Sequence, residues 1–217
     1  MSRIHRRDLE IEPQPPTLAP GARAISFRLL VGELTPERAD LVLAGERADI
    51  VYSDPPWGPG NLAYWRTMNG EKLRPSWPDF LATFCAVAAG SVRPGGHVFV
   101  EMGMRWIDDL AAAMAAHGIP ERKRWSVQYG KPLRPNMLWY SGPGASCDPS
   151  GMSGEAMTTH VLQSVVRHGA LVFDPCCGKG MTARCALRAD MRFAGVEINP
   201  DRAAVTRRWC ERWHGRR

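Results

Sequence analysis

Two short segments of the chain place reactive side chains where a strand stops. The first is Asp54-Pro55-Pro56-Trp57, behind the apolar, β-branched run Ala48-Asp49-Ile50-Val51-Tyr52. Prolines end strands because they lack the amide hydrogen that a ladder needs, so the Asp54 carboxylate sits just past a strand's carboxyl end. Open α/β sheets bind ligands there. By itself the segment reads equally as a Pro-rich turn. The second is Phe173-Asp174-Pro175-Cys176-Cys177-Gly178-Lys179-Gly180, a strand running through a two-glycine turn into a helix. Glycines in such a turn let backbone approach a ligand closely. Glu197, 17 residues after Gly180, ends the next strand, where an acid accepts both hydroxyls of a ribose. That is nucleoside-binding geometry, although Gly-x-Gly with a later acid also occurs as a plain structural turn.

The elements that must hold these segments alternate between strand and helix. A strand is expected over 24–31, and a helix opens at Thr35-Pro36, with proline in its first turn. The strand ending at Ser53 follows, then a long loop over 58–75. Ser76-Trp77-Pro78-Asp79 has the form of a capping box for a helix over 80–92. Arg93-Pro94-Gly95-Gly96 turns into a strand over 97–101, a helix covers 105–117, and strands are expected over 122–129 and 136–140. After a Gly/Pro/Ser loop over 141–154 come a helix over 155–168, an apolar strand over 170–173, the glycine turn with its helix, a strand over 192–196, and a last helix opened by Asn199-Pro200. This order predicts an α/β fold with a mostly parallel sheet covered on both faces.

At 217 residues the chain is long enough for one domain with a substantial core, and residues 1–23, with four prolines and no apolar period, read as an extended or disordered arm. No stretch approaches the run of about 18 apolar residues that spans a bilayer, and the charged start of the chain has no apolar signal core, so a cytoplasmic protein is expected. The six cysteines form no C-x-x-C pair, so no metal site is expected. The net charge of +6 favours a polyanionic partner such as nucleic acid.

Taken together, Asp54-Pro55-Pro56-Trp57 and the loop 173–180 resemble the amino-methyltransferases that modify adenine N6 or cytosine N4 in DNA. The tetrad precedes the glycine loop, as in the permuted β class of that family. The resemblance runs from about Phe27 to Trp213 and implies a Rossmann-like, S-adenosyl-L-methionine-dependent methyltransferase fold with a seven-stranded, mostly parallel sheet over 24–217. It implies that Asp54, Pro55, Pro56 and Trp57 are catalytic. The Asp54 carboxylate and the Pro55 carbonyl would accept the two N–H bonds of an exocyclic amine, while Trp57 stacks on an extruded base. It further implies that Asp174, Pro175, Cys176, Gly178, Gly180, Glu197 and Asn199 hold S-adenosyl-L-methionine. Glu33, where relatives carry Gly-Asp, would join them, as would His160 and Gln163, which remain from the relatives' His-Pro-Thr-Gln-Lys-Pro.

Asp at the first tetrad position favours adenine N6 over cytosine N4 in this family. Tetrads of the D-P-P-W form also occur in RNA adenosine methyltransferases, which lack the later glycine loop, so DNA is the expected partner. The interval 141–154 is too short for a recognition domain. Target readout is therefore expected from the loop 58–75, through Tyr64, Trp65, Arg66, Lys72 and Arg74, or from a homo- or hetero-oligomeric partner. A catalytically silent nucleic-acid-binding subunit is the alternative of another class; it would keep the fold and lose the tetrad or the loop.

Overall fold

A computed structural model describes residues 27–69, 75–165 and 168–215. Within them one sheet of seven strands runs in the order β1 (Phe27–Val31), β7 (Arg192–Glu197), β6 (Leu171–Asp174), β2 (Ala48–Ser53), β3 (Val92–Met102), β5 (Arg134–Ser141), β4 (Lys123–Tyr129). The first five are mutually parallel, and β5 is antiparallel to both neighbours because β4 and β5 form a hairpin. The central strands are apolar on both sides because both faces are covered. Val51, Leu171, Phe173, Val98 and Val100 face one core, with α1 (Pro36–Leu43), α2 (Gly58–Met68), α3 (Trp77–Ser91) and α4 (Ile107–Ala116). Ile50, Tyr52, Val172 and Phe99 face the other, with α5 (Gly154–Val165), α6 (Met181–Arg188) and α7 (Pro200–His214).

The order of strands decides where a ligand goes. From β6 the chain crosses through α6 to β7, and from the adjacent β2 it crosses the other way, through α2 and α3, to β3. The loops leaving β6 and β2 therefore diverge and open a crevice at the carboxyl ends of the strands. Register locks the pair, with Ile50 opposite Val172 and Val51 opposite Phe173, and the Ser53 hydroxyl donates to Asp174 Oδ1 at 2.8 Å.

Several local expectations hold. Thr35 caps α1 by accepting from the Arg38 amide, and Ser76 and Asp79 form the expected capping box of α3. Two do not. The loop expected over 58–75 is the helix α2 as far as Met68: Gly58-Pro59-Gly60 reads as a turn, but Pro59 lies in the first turn of α2, where the missing amide hydrogen is not needed. The strand expected to begin at His97 begins at Val92, with Ala48 pairing Val92 before a register shift. Residues 1–26, with the arm and the first three residues of the first expected strand, lie outside the described residues.

Candidate active site

The crevice is a cavity of about 220 Å³ at the β2–β6 switch point. Asp54, Pro55, Pro56 and Trp57 line one wall, Pro175, Cys176 and Glu197 another, and Glu33 closes the β1 end. Two segments about 120 residues apart in sequence thus face one cavity because their strands are neighbours.

Asp54 is partly open to the cavity, and the indole Nε1–H of Trp57 donates to its Oδ1 at 2.9 Å. The Trp57 ring meets Tyr129 edge-on at 4.4 Å between centroids. Removal from water, then the negative charges of Glu101 and Asp174, push the Asp54 carboxyl well above the ordinary carboxylate range; the Trp57 indole and Arg202 oppose this without prevailing. Glu101 lies one residue before the end of β3, as Asp54 follows β2. It is 1% exposed, accepts from the Tyr52 hydroxyl at 2.8 Å, and is raised to about 7, mainly by burial. Thr158 in turn donates to Tyr52 at 3.1 Å. Burial likewise raises Asp174 to about 6. Three carboxyl groups thus lie at neighbouring strand ends, Asp54 on the cavity wall and Glu101 and Asp174 buried behind it, and burial holds all three toward the neutral form. Among the described residues no group of three or more His, Cys, Asp or Glu is arranged to hold a metal.

The glycine loop is braced from below. Asp174 is buried and accepts from Ser53, from the Cys176 amide at 3.0 Å and from Thr182 at 2.7 Å. It anchors the loop and does not line the cavity. Glu197 accepts from the amides of Gly178 at 2.7 Å and Asn199 at 2.8 Å while still lining the cavity. Gly178 and Gly180 stay off the cavity wall and have left-handed φ values of 56° and 77°. At Gly180 a Cβ would lie 2.6 Å from Thr206 Cγ2 on α7, whose hydroxyl donates to the Gly178 carbonyl. At Gly178 it would meet the flexible end of Arg202 at 2.8 Å. Gly180→Ala is therefore expected to destabilise the fold by about 2–4 kcal/mol, from backbone strain plus overpacking, and Gly178→Ala by about 1–2 kcal/mol from strain alone, as read by urea unfolding. Burial and the nearby Asp174 push the Cys176 and Cys177 thiols well up, which favours the protonated thiol at both.

Other expected residues are placed elsewhere. Arg66, expected on a phosphate, is 6% exposed, pairs with Glu33 and lines the cavity, because α2 turns that face inward. Trp65 also lines the cavity, under the Arg202 guanidinium at 4.1 Å, so it belongs to the β1–β7 end and not to an outer surface. Tyr64 is exposed, and Lys72 and Arg74 lie outside the described residues. His160 and Gln163 are exposed: α5 buries Met157, Thr158, Val161 and Leu162, which turns positions 160 and 163 to solvent, so neither reaches the cavity. The Asn199 side chain caps α7 and bonds Asn69 at the end of α2. The sequence reading missed Glu101, Tyr129, Asn69 and Arg202. Only Glu101 carried a signal, an acid closing the apolar run His97-Val98-Phe99-Val100, the same pattern that marked Asp54.

No protein-family model and no curated protein matches the chain. Solved structures do. M1.HpyAVI in complex with S-adenosyl-L-methionine superposes with a TM-score of 0.62 at 15% identity, over 84% of this chain and 98% of that one. TTHA0409 of Thermus thermophilus, named as a putative DNA modification methylase and likewise complexed with S-adenosyl-L-methionine, gives 0.62 at 16% identity, over 86% and 94%. The cytosine-N4-specific PvuII DNA methyltransferase gives 0.60 at 13%, over 88% and 92%. The chain has the Rossmann-like α/β fold of the S-adenosyl-L-methionine-dependent methyltransferases.

Proposed function

We propose that the chain transfers a methyl group from S-adenosyl-L-methionine to the exocyclic N6 amino group of adenine in DNA. The observation that carries this reading is the meeting of the tetrad and the glycine loop in one cavity, where Asp54 lines the wall with Glu101 and Asp174 buried behind it. A cationic ligand relieves the mutual repulsion of such acids, and the cofactor is cationic at its sulfonium and ammonium. Glu197 faces the cavity as an acceptor for ribose hydroxyls. Asn69 Nδ2 and Arg202 Nε, both on residues lining the cavity, are buried donors without a hydrogen-bond partner among the described residues, suited to a ligand rich in acceptors.

The cofactor, when bound, supplies an electrophilic methyl group. The chain's own residues prepare the amine. Its lone pair is drawn into the ring until acceptors engage its N–H bonds, and Asp54 Oδ and the Pro55 carbonyl serve as those acceptors. A cationic cofactor beside Asp54 would favour its carboxylate, and the carboxylate's raised proton affinity suits it to take the proton released once the amine is methylated. Trp57 and Tyr129 give the extruded base aromatic surface, worth about 1–3 kcal/mol in stacking, against an extrusion penalty of a few kcal/mol. Asp at the first tetrad position favours adenine; the likeness to the cytosine-N4-specific PvuII enzyme keeps cytosine as the second reading. Recognition is loose or supplied by a partner subunit, because residues 142–153 form a loop and no separate recognition domain.

Two measurements test this. Nucleoside mass spectrometry after incubation with labelled cofactor and DNA is expected to find N6-methyladenine; N4-methylcytosine would select the second reading, and cofactor binding without methylation of DNA or RNA would select a silent subunit. Calorimetry is expected to show Glu197→Ala weakening cofactor binding by roughly 1–3 kcal/mol, through loss of charge-assisted hydrogen bonds. Unchanged affinity would remove Glu197 from the site.

A further inference from the structure

Large apolar side chains left in solvent are concentrated at one edge of this molecule. Six are exposed among the described residues: Leu41, Tyr64, Met68, Met104, Tyr129 and Leu133. All except Leu41 lie at the carboxyl ends of β2, β3 and β4 or on the segments that follow them, and Tyr129 lines the cavity itself. The reason for two of the sites is topological. Strand β4 is antiparallel to β5, which is antiparallel to β3, so β4 points the same way as the parallel strands and the hairpin tip 130–133 projects at the edge that carries Asp54. The loop leaving β3 emerges there too.

Both segments touch the tetrad. Tyr129, the last residue of β4, meets the Trp57 ring. Gly103 lies so close to Trp57 that a Cβ on it would be 3.4 Å from Cε3, and Trp106 packs against Gly58. Beyond these contacts, Met104 is 58% and Leu133 60% exposed, with Arg105, Lys131 and Arg134 beside them, all exposed. None of these three cations is in a salt bridge among the described residues, and neither 102–106 nor 129–135 contains an acid. An exposed leucine and methionine with cations outside any salt bridge, one of them, Arg105, stacked on the Trp106 ring, on segments that touch the tetrad beside the cavity, match a polyanion whose bases are unstacked.

We propose that the β4–β5 hairpin tip and the β3–α4 loop are the surface on which a DNA strand lies while one base enters the tetrad. Arg105, Lys131 and Arg134 take phosphates, and Met104 and Leu133 rest against the bases flanking the vacated position. This rests on the nucleic-acid reading above and replaces the loop 58–75 as the principal contact.

The test is fluorescence anisotropy of a labelled 20-base-pair duplex, with the matching single-stranded DNA and RNA, over a series of KCl concentrations. Lys131→Glu/Arg134→Glu is expected to weaken duplex binding at least tenfold and to lower the slope of log K against log salt by about 2, at roughly 0.9 per phosphate contact. Leu133→Ala is expected to weaken binding about threefold or more with the slope unchanged, since it removes no charge. Arg47→Glu, at the opposite edge before β2, controls for a single charge reversal away from the surface and is expected to stay within twofold. Calorimetry with S-adenosyl-L-methionine should give wild-type affinity for every variant, which separates lost binding from misfolding. If the wild type binds the duplex and the hairpin double variant binds it as well, with the same slope, the surface is misplaced. If the wild type binds S-adenosyl-L-methionine but neither DNA nor RNA, the nucleic-acid reading itself fails, and binding of RNA alone overturns DNA as the occupant.

Discussion

Asp54→Ala is expected to lower kcat for methyl transfer by more than about a hundredfold, a loss of about 3 kcal/mol or more from the transition state, with cofactor affinity retained within about fivefold. The carboxylate acts on the amine only as the methyl arrives, so its removal falls on the chemical step. The geometry ties Trp57 to the same effect. Its indole N–H holds Asp54 Oδ1, so Trp57 both orients the acceptor and offers a ring to the base. Trp57→Phe keeps an aromatic face and loses that hydrogen bond, and an intermediate loss of roughly tenfold is expected; Trp57→Ala loses both and should approach Asp54→Ala in effect. Methyl incorporation measured side by side for the three variants checks the ordering. Near wild-type activity of Asp54→Ala on every DNA and RNA offered would make the tetrad a structural turn.

Glu101→Gln is expected to stabilise the fold by about 3 kcal/mol at pH 8 and to leave it nearly unchanged near pH 4. Glu101 is raised from an ordinary 4.5 to about 7, chiefly by burial, with the charge of Asp174 adding to it. Between those two values the folded chain keeps a proton that the unfolded chain has released. Stability therefore falls as pH rises through this window, and above pH 7 the full penalty, near 3 kcal/mol for a rise of about 2.5 in pKa, is present. Asp174, raised from 3.8 to about 6, acts in the same direction at lower pH. Glutamine is neutral throughout, and its carbonyl can still accept from the Tyr52 hydroxyl, so the variant removes the penalty and keeps the hydrogen bond. Thermal unfolding from pH 4 to 8 checks this. The wild-type Tm should decline across the range, and the variant's curve should be flatter, with a Tm higher by roughly 6–12 °C at pH 8 for a chain of this size. Parallel curves would show that Glu101 carries no buried charge.

The chemistry-bearing residues that could be read directly were those marked by local rules. A β-branched run stopped by two prolines located Asp54. An apolar strand entering a glycine turn located 173–180, and an acid closing the next strand located Glu197. Capping signals at Thr35, Ser76 and Asn199 set three helix starts, because a cap is a bond between residues only three apart. The α/β class followed from alternation of these elements, which is itself a local property of the chain.

What depended on the tertiary structure was everything that requires two distant segments to meet. That Asp174 anchors the loop and stays off the cavity wall depends on Ser53, which reaches it only because β2 and β6 are paired. The acid cluster of Asp54, Glu101 and Asp174 exists because three strands end side by side, and no spacing along the chain encodes that neighbourhood. Arg66 and Trp65 looked like surface contacts to nucleic acid as long as 58–75 was a loop; once α2 forms, its register turns both toward the cavity, where Glu33 and Arg202 meet them. His160 and Gln163 failed for the same kind of reason, since the phase of α5 is set by which of its faces packs on the core. A motif determines which groups are present at a strand end, while the order of strands in the sheet and the rotation of each helix on it determine which groups can touch.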